Sequence, residues 1–175
     1  MIKEKGQSSR TMVAFFESNM VRKGKIGIMV DGVMYTKEDI KELYEQYNIL
    51  YFDGKLGKCE VSFFTKNTSY LGWYSAKNDK QGRAKDSIWI GTCVYWNKDA
   101  LRRIMVHEMV HMYIYRIEKC KHDGILGHGR RFRKHCRRLR RDFDLEIQRL
   151  PKLEFINKDL TPKWWERLLL KIFDI

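Results

Sequence analysis

No stretch of this chain stays apolar for the roughly 20 residues that a membrane-spanning helix needs. The early apolar run at residues 12–16 is too short for a secretory leader and runs straight into Glu17. Cysteine is scarce and scattered. Cys59, Cys93, Cys120 and Cys136 form no close pair, and C-x-x-C does not occur. That excludes a disulfide-stapled scaffold, and it leaves no cysteines at the short spacing of a zinc site. Free or buried thiols in a reducing compartment are expected, so the chain reads as intracellular and cytoplasmic, without a membrane partner. There is no internal repeat and no low-complexity segment. Acid is also in deficit, with 22 Asp and Glu against 35 Lys and Arg, a net charge of +13. Such an excess suggests a polyanionic partner, and nucleic acid is the usual one. It says nothing about fold.

What is present suffices for a packed core: 43% of the 175 residues are hydrophobic and 13% aromatic. One domain is the simplest organisation, with small appendages at either end. We divide the chain into an N-terminal extension (1–34), a core (35–150) and a C-terminal amphipathic helix packed on it (151–175). Residues 11–21 read as a short helix. Asp31-Gly32 between two apolar runs, 26–30 and 33–35, is a strong type I′ hairpin signal. Thr36 and Asp39 form a capping box. The helix behind it carries Ile40, Leu43, Tyr44, Tyr47 and Leu50 at helical spacing, and Asp53-Gly54 ends it. Strand-like runs follow at 59–65, 70–75 and 87–92. The first alternates Cys59, Val61 and Phe63 with Glu60 and Ser62. Residues 77–85 read as a polar, basic loop. Near the end, Thr161-Pro162 reads as a helix start, with Trp164, Trp165, Leu168, Leu169 and Ile172 on one face.

The chemistry concentrates at His107-Glu108-Met109-Val110-His111, inside a helical pattern over residues 97–120 with Asn97 as its N-cap. Histidines four apart lie one turn apart on one helix face, so both imidazoles reach one ion. Glu108 follows the first ligand, where its carboxylate can serve as a general base. Apolar residues surround the motif (Leu101, Ile104, Met105, Val106, Val110, Ile114, Ile117), and a polar trio in such a helix needs a reason.

Catalytic zinc sites usually take three protein ligands, which leaves His122, His128 and His135 as candidates. His128 lies in Gly127-His128-Gly129, at a loop-to-helix junction where flanking glycines allow a sharp turn and close approach. His122 lies in the loop 119–127 and is the weaker candidate. His135 sits beside the apolar stripe of the next helix, Phe132, Cys136, Leu139 and Phe143, and reads as a packed, locally hydrogen-bonded histidine. The rest of that helix is basic: Arg130, Arg131, Arg133, Lys134, Arg137, Arg138, Arg140 and Arg141. Like charges on one helix repel, and arginine suits phosphate. These eight are candidate nucleic-acid contacts.

The H-E-x-x-H motif, sixteen residues between His111 and His128, and the run Gly127-His128-Gly129-Arg130-Arg131-Phe132 resemble the SprT-like zinc metallopeptidases. These include the Spartan-type proteases that degrade proteins crosslinked to DNA. The likeness covers about residues 40–143. The metzincin pattern does not fit, because residues 113–117 supply neither its glycine nor its third histidine. The zinc ribbon found in some bacterial members is missing. The resemblance implies an α+β, zincin-like metallopeptidase domain, with a small three- to four-stranded sheet packed on the HExxH helix and further helices. It implies one zinc ion, a protein substrate laid along a sheet edge, and DNA as a partner. Zinc on His107, His111 and His128 would lower the pKa of water, and Glu108 would move the proton. Tyr70, Tyr74, Tyr113 and Tyr115 are candidates to stabilise the oxyanion. The alternative is a non-catalytic nucleic-acid-binding protein with a structural metal site. Glu108 discriminates, because a structural site needs no carboxylate beside its ligand.

Overall fold

The computed structural model describes residues 27–64, 71–92, 94 and 96–148. The readings for residues 11–21, Tyr70, Cys93 and the terminal helix lie outside them. The elements are β1 (Ile28–Val30), β2 (Val33–Tyr35), α1 (Lys37–Phe52), β3 (Cys59–Phe64), β4 (Gly72–Asn78), β5 (Ala84–Gly91), α2 (Lys98–Arg116) and α3 (Arg130–Phe143). A short 3-10 turn, Ile125–Gly127, precedes α3. Together they make a small α+β fold with a mixed three-stranded sheet and three helices.

Local signals account for most of these boundaries. Asp31 and Gly32 both take positive φ, 47° and 81°, as a type I′ turn requires. The turn joins β1 and β2 in antiparallel register. The hairpin is stitched to the chain entering α2: Trp96 N–H donates to Met29 O and Asp31 N–H to Trp96 O, both at 2.9 Å. Ile28 and Val30 are fully buried in the core. The Thr36–Asp39 capping box forms as expected. Helix α1 buries Ile40, Tyr44, Tyr51 and Phe52. Leu50, read as part of that stripe, is 53% exposed. At 100° per residue, Tyr51 continues the row from Ile40 through Tyr44 and Tyr47, and Leu50 falls outside it.

The sheet order is β3-β5-β4, with β3 parallel and β4 antiparallel to β5. The segment 77–85 is mostly strand rather than loop. Lys77 pairs with Lys85 and Asn78 with Ala84, and only residues 79–83 turn. The Asp79 carboxylate closes that turn by accepting from the backbone N–H groups of Gln81 (2.9 Å) and Arg83 (2.8 Å). This end of the hairpin is exposed, so its strands carry polar residues and look loop-like. Alternation in β3 is also incomplete, because Ser62 and Phe64 are buried along with Cys59, Val61 and Phe63.

Helix α2 lies across the sheet and contributes Leu101, Ile104, Met105, Met109 and Met112 to the core. Its far end is tied down by Arg116, whose guanidinium forks onto the buried Asp86 carboxylate of β5 at 2.9 and 3.0 Å. The Tyr74 hydroxyl of β4 donates to the same carboxylate at 2.7 Å. Asp86 thus has its charge and lone pairs satisfied, as a buried carboxylate must. In α3, Phe132, His135 and Leu139 face inward. Phe143, expected in that stripe, is 37% exposed, and Cys136 is half-buried. The i, i+3, i+7 row places His135 where Cys136 was expected.

Candidate metal centre

The structure brings His107, His111 and His128 together. Helix α2 carries the first two one turn apart. Its first turn is fixed by Asn97, whose side chain accepts from Ala100 N–H at 2.7 Å. The Asp31 carboxylate of the hairpin accepts from Lys98 N–H at 3.1 Å. His128 comes from the turn before α3. Gly127 there has φ +73°, and a Cβ on it would stand 3.1 Å from His111 Cε1. Glycine lets this turn pass against the histidine pair of α2.

The three Nε2 atoms form a near-equilateral triangle, with 3.2 Å from His111 to His107, 3.2 Å from His111 to His128 and 3.0 Å from His128 to His107. Tetrahedral ligands at about 2.0–2.1 Å from one ion lie roughly 3.3 Å apart. The donor set therefore fits a single metal ion. His107 Nδ1 lies 3.0 Å from Gln148 O. A carbonyl only accepts, so Nδ1 carries the proton and Nε2 keeps its lone pair for a ligand. Burial, helped by the neighbouring His111 and His128, holds His107 well below the usual histidine range. Burial and His128 take His111 down to about 4, against a smaller pull from Asp123. Neutral imidazoles are the form that binds a metal. The Phe132 ring backs all three, 4.8 Å from His107, 4.8 Å from His111 and 4.6 Å from His128.

Glu108 is 4% exposed. Burial pushes its carboxyl up to about 8, opposed by a hydrogen bond from the Tyr74 backbone. A cation seated nearby favours the charged form and works against that push. Glu108 faces β4: a Cβ on Gly72 would lie 3.5 Å from Glu108 Cγ and 3.1 Å from Trp89 O. Strand β4 is an edge of the sheet, so the carboxylate stands beside a sheet edge.

The other candidates lie elsewhere. His122 is exposed on its loop, where its carbonyl accepts from Cys120 Sγ. His135 is packed in α3, with Nε2 2.9 Å from Glu118 Oε1. The Tyr74 hydroxyl is committed to Asp86. Tyr113 packs against Phe52 and His135, and Tyr115 against Tyr74 and the Arg116 guanidinium. On α3, Arg130, Arg133, Lys134, Arg137 and Arg140 are exposed. Arg131 is paired with Glu118 and Arg141 with Asp142. Arg138 is half-buried and donates to Tyr51 O at 2.7 Å. Sequence reasoning missed Gln148, which acts through a backbone carbonyl that any residue could supply. It also missed Asp123, whose carboxylate accepts from Arg131 and Phe132 N–H.

The SprT-like family model matches residues 40–151. The chain belongs to the SprT-like family, a family of metallopeptidase-type domains. No curated protein matches it. Among the described residues, no helix is long and apolar enough to cross a membrane.

Proposed function

We propose that this protein is a zinc-dependent endopeptidase of the zincin kind, and that proteins bound or crosslinked to DNA are among its substrates. One observation carries the peptidase reading: the helix that carries two nitrogens of a three-nitrogen seat also carries, next in sequence to the first of them, a buried carboxylate outside that group. His107, His111 and His128 would hold the ion. When bound, the ion supplies Lewis-acid chemistry, making water acidic near neutral pH and polarising a carbonyl. Glu108 takes the proton of the attacking water at a carboxylate oxygen and hands it to the leaving amine. The edge of β4 accepts an extended peptide by main-chain pairing, which tolerates many sequences. Exposed arginines on α3, beginning two residues after His128, support a DNA-linked substrate.

The test is metal analysis combined with cleavage of an unfolded protein. Wild type should carry one zinc ion and cleave. Glu108→Gln should keep the ion and the fold while losing about 10²–10⁴-fold in rate, because an amide cannot accept the proton. Equal rates in the two proteins would remove Glu108 from the role of base. Metal without cleavage in either would favour a binding protein with a structural ion.

A further inference from the structure

His128 has no regular element of its own. It sits between the 3-10 turn and the first residue of α3, flanked by two glycines. A ligand on such a turn is only as well placed as the turn itself. The residue at the N-cap of α3 is Gly129, which has no side chain with which to cap the helix. Asp123 does this from six positions upstream. Its Oδ1 accepts from Arg131 N–H at 3.1 Å and its Oδ2 from Phe132 N–H at 2.7 Å. Its backbone carbonyl accepts from Gly129 N–H at 2.5 Å. One residue therefore grips the chain on the C-terminal side of His128 by three backbone N–H groups. Each satisfies a donor that a helix start otherwise leaves open.

The glycines make sense against this grip. A Cβ on Gly129 would stand 2.6 Å from the carbonyl carbon, carbonyl oxygen and Oδ1 of Asp123. Gly124, at φ +71°, would bring a Cβ to 2.9 Å from Gly129 Cα. The two strands of the clasp pass too close for any side chain. Phe132, whose N–H is one of the three gripped groups, is also the ring behind all three imidazoles. The clasp thus fixes both the turn that presents the third ligand and the ring against which the trio rests.

We propose that Asp123 is the positioning residue of the metal seat, setting the angle and distance at which His128 meets His107 and His111. This rests on the reading that the trio binds a metal ion. Asp123 acts through the turn and does not itself bind the ion.

The test uses the full chain loaded with cobalt(II), whose visible bands report coordination geometry. Affinity is measured by competition with a chromophoric chelator, and far-UV circular dichroism of the metal-free chain checks folding. Wild type should take up one cobalt ion. Asp123→Ala should bind about 10–100-fold more weakly, the usual cost of losing an outer-shell partner, and its bands should shift. Gly129→Ala, which pries open the same clasp from the other side, should act in the same direction. Asp123→Asn keeps one acceptor oxygen and should fall between Ala and wild type. Glu118→Gln loosens the tie between α2 and α3 without touching the turn, so it should bind as wild type does. Wild-type affinity and bands in Asp123→Ala and Asp123→Asn would overturn the proposal. So would an equal loss in Glu118→Gln, which would mean that any destabilised α3 spoils the site. If Asp123→Ala does not fold, Asp123→Asn decides by the same two outcomes. A wild-type chain that takes up no cobalt overturns the peptidase reading itself, and this inference with it.

Discussion

Each of the three histidines is held by a different kind of neighbour. The Gln148 carbonyl fixes the proton of His107, Gly127 makes room at His111, and the turn at Gly127 and Gly129 carries His128. That these three histidines come together was legible in sequence, because side-chain identity, helical spacing and the glycines around His128 are written there. Their supports were not. A backbone carbonyl leaves no residue signature, and Asp123 lies outside any periodic pattern. The ligand assignment makes a prediction. His128→Ala should weaken metal binding by more than the roughly 10–100-fold that an outer-shell partner is worth. His122→Ala and His135→Ala should leave it unchanged, since one is exposed on its loop and the other pairs with Glu118. Inductively coupled plasma analysis of dialysed protein reads the result, and full occupancy in His128→Ala would show that the third ligand lies elsewhere.

At the scale of elements, strong local chemistry made boundaries legible. The hairpin turn, the Thr36 capping box and the Asn97 cap each satisfy specific backbone groups with specific side chains, so a short stretch suffices to read them. The strands at 77–85 were not legible. Their pairing is set by partners across the sheet, and their exposed ends carry lysine where a buried strand would carry valine. Helix α3 shows both cases. Its buried row gave the orientation, while the roles of its cations depend on neighbours distant in sequence, such as Tyr51 for Arg138 and Glu118 for Arg131. If its exposed face meets DNA, replacing Arg133, Arg137, Arg140 and Arg141 with Glu should weaken DNA binding. It should also flatten the salt dependence, by a slope of about 0.9 for each phosphate that is no longer neutralised. Cleavage of a free unfolded peptide should change little, because these side chains lie outside the trio. A gel-shift titration at several salt concentrations would show an unchanged affinity if the face is merely solvated.

For the molecule as a whole, the +13 net charge makes its acids few and well used. Burial works against the charge of Glu118, but hydrogen bonds from Arg131 and His135 outweigh it and hold the carboxyl below its ordinary value. Asp99 is likewise held low, with hydrogen bonds from Arg103 and Arg102 outweighing burial. A carboxylate depressed in the folded state takes up its proton more readily when unfolded. Its stabilisation is complete above the unfolded value, about 4.3 for Glu and 3.9 for Asp, and is lost as pH falls through the folded value. Urea midpoints should therefore fall more steeply below about pH 4 in the wild type than in Glu118→Gln. An equal fall in that variant would acquit Glu118. The carbonyl at Gln148 also orders events in time. A chain made from its N-terminus exposes the β4 edge first, then the helix with Glu108, then His128, and only afterwards the residue that turns His107 toward its partners. A nascent chain still tethered to the ribosome at that point has His111 and His128 in place while His107 still lacks the carbonyl that holds its Nδ1 proton.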